Sequence, residues 1–430
     1  MYDFIIFFEH QTRELENAVL LEEYLKSQGY STCILRIDSY KMLYKRAKVI
    51  IAPYCYHNND VFSFVSFPFY KPQKLINLQY EQIYTENDEK TGKLFPREIA
   101  KDCCIVTWGE HTYKNLINCG IDSSNLYKIG NFALDFNSDK FGKYFKTRCE
   151  IAEEFGLPKD KKWHLFISSF SKVNLEEEHV NGIRKFIEEI DRLIDYNVKS
   201  QIQIIDWFKR YLDEHNDVCI IYRPHPAENV SGLVYELEKK YTNFYVINEY
   251  SIRQWIRVSD SISNWYSTSL VDIYFANKTC FILRPISISM NEDVLIMKEA
   301  KFVTSYESFN KELENQEEVS FPIDTNIIKD FFYNSFDGEC YKKLGDMCID
   351  VLRDNKNIYD YKNLLGFSKM YYCKRYIWLV LMFFAAHVNI SKILPLKYKS
   401  QLSYMYKESR DYTKKEKQIR LRLMKVVHER

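Results

Sequence analysis

One short segment combines an arginine, a histidine and two prolines directly after an apolar run. The run Ile220–Tyr222 is typical of a strand end, and Arg223, Pro224, His225 and Pro226 follow it. Because proline fixes the backbone, the two prolines hold this loop in one conformation. A guanidinium is always charged and an imidazole titrates near neutral pH, so the loop is suited to bind a phosphate. The alternative is a turn whose prolines only end the strand and whose histidine lies at the surface.

Hydroxyl side chains precede a predicted helix about forty residues later. Ser267, Thr268 and Ser269 stand directly before the helical run Leu270–Ala276, whose first turn contains Asp272. Such side chains cap free N–H groups at a helix start, and the helix dipole attracts anions there. The pattern predicts a phosphate at this end of the helix, with the carboxylate placed to bind a ribose hydroxyl. An ordinary N-cap without a ligand is the alternative.

Together these segments resemble the donor half of bacterial GT-B glycosyltransferases of surface carbohydrate biosynthesis. Residues 223–228 (R-P-H-P-A-E) and 261–272 (S-x-S-x-W-Y-S-T-S-L-V-D) carry the resemblance. Residues 107–111 and 129–135 are similar to the W-G … G-N-x-x-x-D signature of that family, with Phe-Ala where Pro-Arg is commoner. The loop 169–174 resembles its N-F-x-x-x-N segment, and 9–14 resembles its E-x-x-x-R-E opening. Relatives include capsule and CDP-glycerol polymer transferases and other transferases with the His-Pro motif.

The resemblance implies an α/β protein of the GT-B type, with two Rossmann-like doubly wound domains facing a central cleft. It implies transfer of a sugar, or a sugar-like unit, from a CMP- or CDP-activated donor to a glycan or lipid-linked acceptor. By the same resemblance, the donor phosphate is bound by Arg223, His225, Ser267, Thr268 and Ser269, and the ribose by Asp272. The chain contains no Asp-x-Asp motif, so we expect no metal and no other cofactor.

An inverting transfer also requires a base for the acceptor hydroxyl, which we expect from the N-terminal half. Glu9 directly follows the first predicted strand and is the leading candidate. Its alternative role is an ion pair with Arg13, four residues along a helix. Glu81 is the next candidate, followed by the pair Glu110 and His111. The residues expected to line the cleft or the acceptor side are His10, Arg13, Glu110, His111, Ser168, Ser169 and Asn174.

The elements that position these residues are short apolar runs alternating with helical patterns. Such runs are typical of a parallel sheet covered on both faces, and one series begins at Phe4 and another near Trp163. We therefore expect an acceptor domain over residues 1–140, a nucleotide-donor domain over 141–330 and a helical basic region over 331–430. Ligands of such sheets bind at the carboxyl ends of the strands.

Glycine is scarce, at 12 of 430 residues, and no G-x-G arrangement occurs. This excludes the dinucleotide-binding fingerprint and the P-loop, which both need glycine where the backbone approaches phosphate. Hydrophobic residues make up 46% of the chain, which excludes a disordered protein. The eleven cysteines include no C-x-x-C pair, so we expect reduced, mostly buried thiols in a cytoplasmic protein. The N-terminus shows no basic region before its apolar run, so no signal peptide is expected.

The net charge of +1 conceals an uneven distribution. Residues 369–430 carry 15 Lys and Arg against 4 Asp and Glu, and the rest of the chain is acidic. The apolar run 376–388 is too short to cross a bilayer core, which needs about 20 residues. With its cationic flanks it predicts peripheral binding to the anionic inner face of the cytoplasmic membrane. A buried core helix beside a solvated basic face is the alternative, and no nucleic-acid partner is expected.

Two further functions remain open from the residues alone. A sugar-nucleotide epimerase on the same fold would isomerise a UDP-sugar without an acceptor. A non-catalytic scaffold docked on the membrane by its tail would bind no nucleotide.

Overall fold

The protein is built on two parallel β-sheets, each covered by helices. The computed structural model describes residues 1–65, 74–175, 177, 180–181, 184, 190–315, 320–354, 369–387 and 412–426. Within these residues each sheet has six strands, and every strand pair is parallel. The predicted α/β architecture of two doubly wound domains is confirmed.

The first sheet has the strand order β2-β1-β3-β4-β5-β6. Its strands are β1 Tyr2–Phe8, β2 Thr32–Arg36, β3 Ala47–Ala52, β4 Lys74–Asn77, β5 Cys104–Thr107 and β6 Leu126–Lys128. The central strands are buried on both faces because their runs are apolar at successive positions, as in Phe4–Phe8. The strand β2 lies on one side of β1, whereas β3 and the later strands follow on the other side. The order of the strands therefore changes direction between β1 and β3, and the crevice of this sheet opens after β1.

The second sheet has the order β12-β11-β10-β7-β8-β9. Its strands are β7 Lys162–Ile167, β8 Val218–Arg223, β9 Phe244–Val246, β10 Ser261–Asn264, β11 Phe281–Leu283 and β12 Phe302–Val303. In this sheet the order of the strands changes direction between β7 and β10, so the loops after these two strands border the crevice. Both segments with predicted phosphate chemistry, 223–226 and 267–269, follow strands of this sheet.

Helices cover both faces of the two sheets. In chain order they are α1 Gln11–Ser27, α2 Asn58–Val65, α3 Glu86–Thr91, α4 Glu110–Asn118, α5 Arg148–Phe155, α6 Ile190–Glu214, α7 Gly232–Lys240, α8 Ile252–Val258, α9 Leu270–Phe275, α10 Tyr306–Glu314, α11 Thr325–Phe331, α12 Cys340–Arg353, α13 Lys369–His387 and α14, residues 412–426. Short 3-10 turns at Phe132–Asn137 and Asp139–Tyr144 connect the domains. One hydrophobic cluster continues from Phe136 in this connection to Leu270 of α9, so the two domains share a core.

The segment after the second sheet returns to the first domain. The Gly109 backbone lies so close to Phe331, at the end of α11, that a Cβ would overlap the Phe331 carbonyl. Asn131 donates its backbone N–H to Asn334 Oδ1 at 2.8 Å, and Asp135 Oδ2 accepts the backbone N–H of Tyr341 in α12 at 2.6 Å. The W-G … G-N-x-x-x-D signature therefore forms the contact that holds this returning segment on the first domain.

The last described helices also lie on the first domain, beside its edge strand β2. Arg375 of α13 pairs with Asp38 at 3.2 Å, and Tyr412 of α14 donates its hydroxyl to the Ile34 carbonyl at 2.8 Å. Arg420 of α14 pairs with acidic side chains of α1. Within the described part of the chain, no helix is both long enough and apolar enough to cross a membrane. Val388 and the basic residues between 388 and 411 lie outside the described residues.

Candidate functional site

A cavity of about 390 Å³ lies between the two domains, at the carboxyl ends of the strands. The second domain contributes the loop after β8 and the start of α9, and the first domain contributes α1 and the segment after β4. Of the predicted site residues, those that line it are Arg13, Glu81, Ser168, Arg223, His225, Ser267, Thr268, Ser269 and Asp272. The fold thus brings together segments separated by more than two hundred positions in the sequence.

Arg223 lines the cavity and also anchors the loop that contains it. Its Nη1 donates to the Ile247 carbonyl at 2.9 Å, and its Nη2 donates to the Tyr250 carbonyl at 2.5 Å. The side chain is buried, and burial lowers the pKa of its guanidinium to about 10. Because two nitrogens already hold the β9–α8 connection, the arginine positions the loop. Contact with a donor phosphate stays a prediction for this residue.

His225 is held with a defined ring orientation. Its Nδ1 accepts the backbone N–H of Ala227 at 3.1 Å, so in the neutral ring the proton is on Nε2. Burial lowers its pKa, and the nearby cations Arg13, Lys172 and His10 lower it further. The imidazole is therefore a neutral Nε2–H donor at neutral pH, in a region of positive potential.

The Glu228 carboxylate connects the same loop to the ends of β7 and β8 through hydrogen bonds. Its Oε2 accepts the His225 backbone N–H at 3.1 Å and the Ser168 hydroxyl at 2.5 Å, while Oε1 accepts the Tyr222 hydroxyl at 2.6 Å. Ser168 was predicted to line the cleft, and it lines this cavity. Its hydroxyl is hydrogen-bonded to Tyr222 and Glu228. No role was predicted for Glu228, because its partners come from two different strands.

The start of α9 presents the three predicted hydroxyl residues. Ser267 Oγ accepts the backbone N–H of Ser269 at 3.2 Å, so this side chain holds the turn that starts the helix. Asp272 Oδ1 accepts from Arg253 Nε at 2.9 Å and from Asn137 Nδ2 at 2.9 Å. The predicted ribose-binding carboxylate is thus fixed by Asn137 of the domain connection and by Arg253 of α8. Arg253 lines the cavity and was not predicted as a site residue.

On the first domain, one predicted glutamate and one that was not predicted line the cavity. Glu14 and Glu81 line the cavity, whereas Glu9, the leading candidate base, is not among the lining residues. The Arg13 Nη2 lies 2.8 Å from Glu81 Oε1, and the Arg13 charge also lowers the pKa of Glu9, although burial raises it on balance. His10 Nε2 lies 3.9 Å from Glu9 Oε2, beside the cavity rather than in its wall. The role of Glu9 as a base therefore stays a prediction, and its interaction with Arg13 is a charge effect without a direct ion pair.

Glu14 is the buried carboxyl of this wall. Its Oε2 accepts the backbone N–H of Glu9 at 2.6 Å and of His10 at 3.4 Å, at the start of α1. Burial raises its pKa to about 7, against two backbone hydrogen bonds and the Arg13 charge that lower it. A carboxyl with this pKa is suited to accept a proton near neutral pH. The only sequence signal for it was its place at the end of the E-x-x-x-R-E segment.

Glu110 and His111 are not among the residues that line the cavity, so their predicted part in the cleft stays a prediction. Glu110 Oε2 accepts from Lys128 Nζ and from the Tyr333 hydroxyl, each at 2.7 Å. His111 Nε2 lies 2.6 Å from Glu89 Oε1, and the ring stacks on Phe331 at 4.3 Å between centroids. The physical reason for these contacts is that Glu110 and His111 begin α4, and this end of the helix faces the returning C-terminal segment.

Two other predicted residues follow β7 without lining this cavity. Ser169 lines a second, adjoining cavity of about 660 Å³. Asn174 is exposed and adopts the left-handed backbone conformation, with φ of +56°, in the turn that follows. Asn174 lines neither of these two cavities, and its contact with the acceptor stays a prediction. Among the described residues no three His, Cys, Asp or Glu side chains group as metal ligands.

Comparison with known proteins identifies the fold. No protein-family model and no curated protein matches the chain. A point variant of the wall teichoic acid polymerase TagF is similar with a TM-score of 0.53 at 15% identity, over 82% of this chain and 89% of that one. TagF soaked with CDPG gives 0.50 at 14% identity, over the same shares. A UDP-N-acetylglucosamine 2-epimerase gives 0.51 at 11% identity, over 83% of this chain and 98% of that one.

These similarities define the class of fold: the chain has the GT-B architecture, as predicted. Both a polymerase and an epimerase share it, so the reaction must be argued from the site residues.

Proposed function

We propose that the chain is a glycosyltransferase that moves a sugar, or a sugar-like unit, from a CMP- or CDP-activated donor to a surface glycan or lipid-linked acceptor. The observation that carries the proposal is the interdomain cavity. It places His225, Thr268, Ser269 and Asp272 of the second domain opposite the Glu14 carboxyl of the first. A neighbour of the same fold, TagF, was soaked with CDPG, which supports a cytidine nucleotide as the donor.

The proposed mechanism uses the second domain to hold the leaving group. The Nε2–H of His225 and the hydroxyls at the start of α9 donate to the phosphate, and Asp272 accepts from a ribose hydroxyl. These donors stabilise the negative charge that grows on the phosphate as the glycosidic bond breaks, without a metal ion.

Glu14 serves as the base of an inverting displacement. Its carboxylate takes the proton of the acceptor hydroxyl as that oxygen attacks the anomeric carbon, while Arg13 and Glu81 pair beside it. Since the pKa of Glu14 is about 7, the rate is expected to rise with pH up to about that value and then level off.

The test is NMR of the chain with CMP-, CDP- and UDP-sugars in the absence of acceptor. We expect slow release of CMP or CDP by transfer to water, and a loss of about 100-fold in Glu14→Gln. Conversion of a UDP-sugar into its isomer would instead show the epimerase, and would overturn the proposal. Glu81→Gln is the matched variant, because it removes the other carboxylate of the same wall.

We also propose that the protein is cytoplasmic and binds the anionic inner membrane surface through α13 and α14. In α13, Leu379 and Met382 face the first domain, whereas Ile377, Leu381 and Phe384 are exposed. In α14 the exposed lysines are Lys414, Lys415, Lys417 and Lys425. Both helices lie beside β2, so an apolar face and a basic face are available at one edge of the first domain.

A further inference from the structure

The second cavity adjoins the first and has walls from both domains. It shares His225, Ser267 and Thr268 with the first cavity. Beyond them, the first domain contributes α3 and Lys93, and the second contributes Lys172 and aromatic side chains such as Tyr196 and Tyr266. With a volume of about 660 Å³ it has room for a group separate from a nucleotide in the first cavity.

The charges of the second cavity favour an anion. Its two carboxylates have partners: Asp88 accepts from the Thr85 backbone N–H at 3.0 Å, and Glu292 pairs with Arg192 at 2.5 Å. Lys93 and Lys172, one from each domain, form no ion pair with any residue that the structure describes. Two cations without an ion-pair partner among the described residues therefore line a cavity in which Glu292 is paired with Arg192 and Asp88 is hydrogen-bonded to Thr85.

Of the two lysines, Lys172 is the better placed to bind an anion. It is half-buried on the loop after β7, and burial lowers the pKa of its ammonium group. Its charge in turn lowers the pKa of His225, so the two groups repel each other when both are protonated. A bound anion would compensate the ammonium group for its lost hydration and would offset this repulsion.

We propose that the second cavity is a subsite for an anionic group, a phosphate or a carboxylate, of the acceptor, and that Lys172 and Lys93 bind it. The inference rests on the proposed function, because it takes the first cavity as the nucleotide site. The acceptor end then lies beside His225, where the two cavities meet.

The test is calorimetric titration of inorganic phosphate into the chain saturated with CMP, which fills the donor site. We expect phosphate to bind the natural chain, and to bind at least tenfold more weakly to Lys172→Gln. Lys172→Arg keeps the charge and should retain binding. Lys239→Gln, an exposed lysine of α7 outside both cavities, is the control and should bind phosphate as the natural chain does.

Two results would overturn the inference. In one, Lys172→Gln binds phosphate as tightly as the natural chain. In the other, it weakens CMP binding tenfold, which would place Lys172 on the donor phosphate. If CMP and CDP do not bind at all, the proposed function fails, and titration of phosphate into the nucleotide-free variants still decides whether the subsite exists.

Discussion

At the scale of single residues, the site depends on carboxyl groups whose protonation is set by burial. Glu14 is buried in the wall of the first cavity, and its pKa is raised to about 7. The desolvation that makes it a suitable base also makes its charged form unfavourable in the folded protein. The neighbouring Glu81 is half-exposed and paired with Arg13. Two glutamates in one wall are therefore differentiated by environment alone.

The first prediction concerns Glu14 and the pH dependence of stability. Its pKa is raised from 4.5 to about 7 on folding, so between these values the folded chain binds more protons than the unfolded chain. The free energy of unfolding therefore falls as pH rises from about 4.5 to 8, by about 1.4 kcal/mol for each pKa unit and up to about 3 kcal/mol in all.

Glu14→Gln removes this fall while its amide oxygen still accepts the N–H groups at the start of α1. Urea unfolding of both proteins at several pH values measures the difference, in which other titrating groups cancel. Parallel pH curves for the two proteins would contradict the account of Glu14.

At the scale of elements, the returning C-terminal segment depends on two glycines of the first domain. The Gly109 backbone lies against the Phe331 backbone, and Gly130 has φ of +105° beside the Asn334 side chain. A side chain at either position meets a neighbour, and at Gly109 the neighbour is backbone that has no rotamer to change. The close approach of neighbouring atoms explains why glycine stands at these two positions, although the chain contains few glycines.

The second prediction is that Gly109→Ala destabilises the protein by about 2 kcal/mol or more, because overpacked sites cost about 1–3 kcal/mol. Gly232→Ala is the matched control, since no atom lies within 4 Å of its added Cβ. As the first residue of α7, that position should change by less than about 1 kcal/mol, and in the stabilising direction. Equal urea midpoints for the two variants would show that α11 does not pack as described.

The sequence predicted most elements, because a buried parallel strand is a short run of apolar residues between helical patterns. The two predicted series of apolar runs, from Phe4 and from near Trp163, coincide with the two sheets, whereas the last strand, β12, is two residues long and carries no periodicity. Glu14 and Arg253 were missed as site residues because their roles depend on burial and on partners from distant segments. Local pattern located the loops of the site but not the contacts between domains.

At the scale of the whole molecule, the cavity lies between the two domains, whereas α13 and α14 lie beside β2 on the first domain. Part of the basic charge of α14 is neutralised within the protein, since Arg420 pairs with Glu22 and Glu23. The exposed lysines of α14 and the exposed apolar residues of α13 remain available at the surface. This surface is distinct from the cavity, so membrane binding and nucleotide binding can be tested separately.

The third prediction is that the full chain floats with liposomes that contain anionic lipid. The combined change Ile377→Glu, Leu381→Glu and Phe384→Glu should reduce the bound fraction at least fivefold, because it places charge on the exposed face of α13. Ile202→Glu with Leu233→Glu changes exposed apolar residues of the second domain and is the control. Equal flotation of all three proteins would remove the membrane proposal and leave the site unaffected.

The most direct test of the central claim, that the interdomain cavity binds a nucleotide, is a thermal-unfolding panel with CMP, CDP, UDP and GDP. A ligand at 100 times its Kd adds about 2.7 kcal/mol to stability, which is easily measured. We predict that CMP or CDP stabilises the natural chain and stabilises His225→Ala much less, while the exposed-histidine control His57→Ala responds as the natural chain does. No stabilisation by any nucleotide, or equal stabilisation of His225→Ala, would contradict the account.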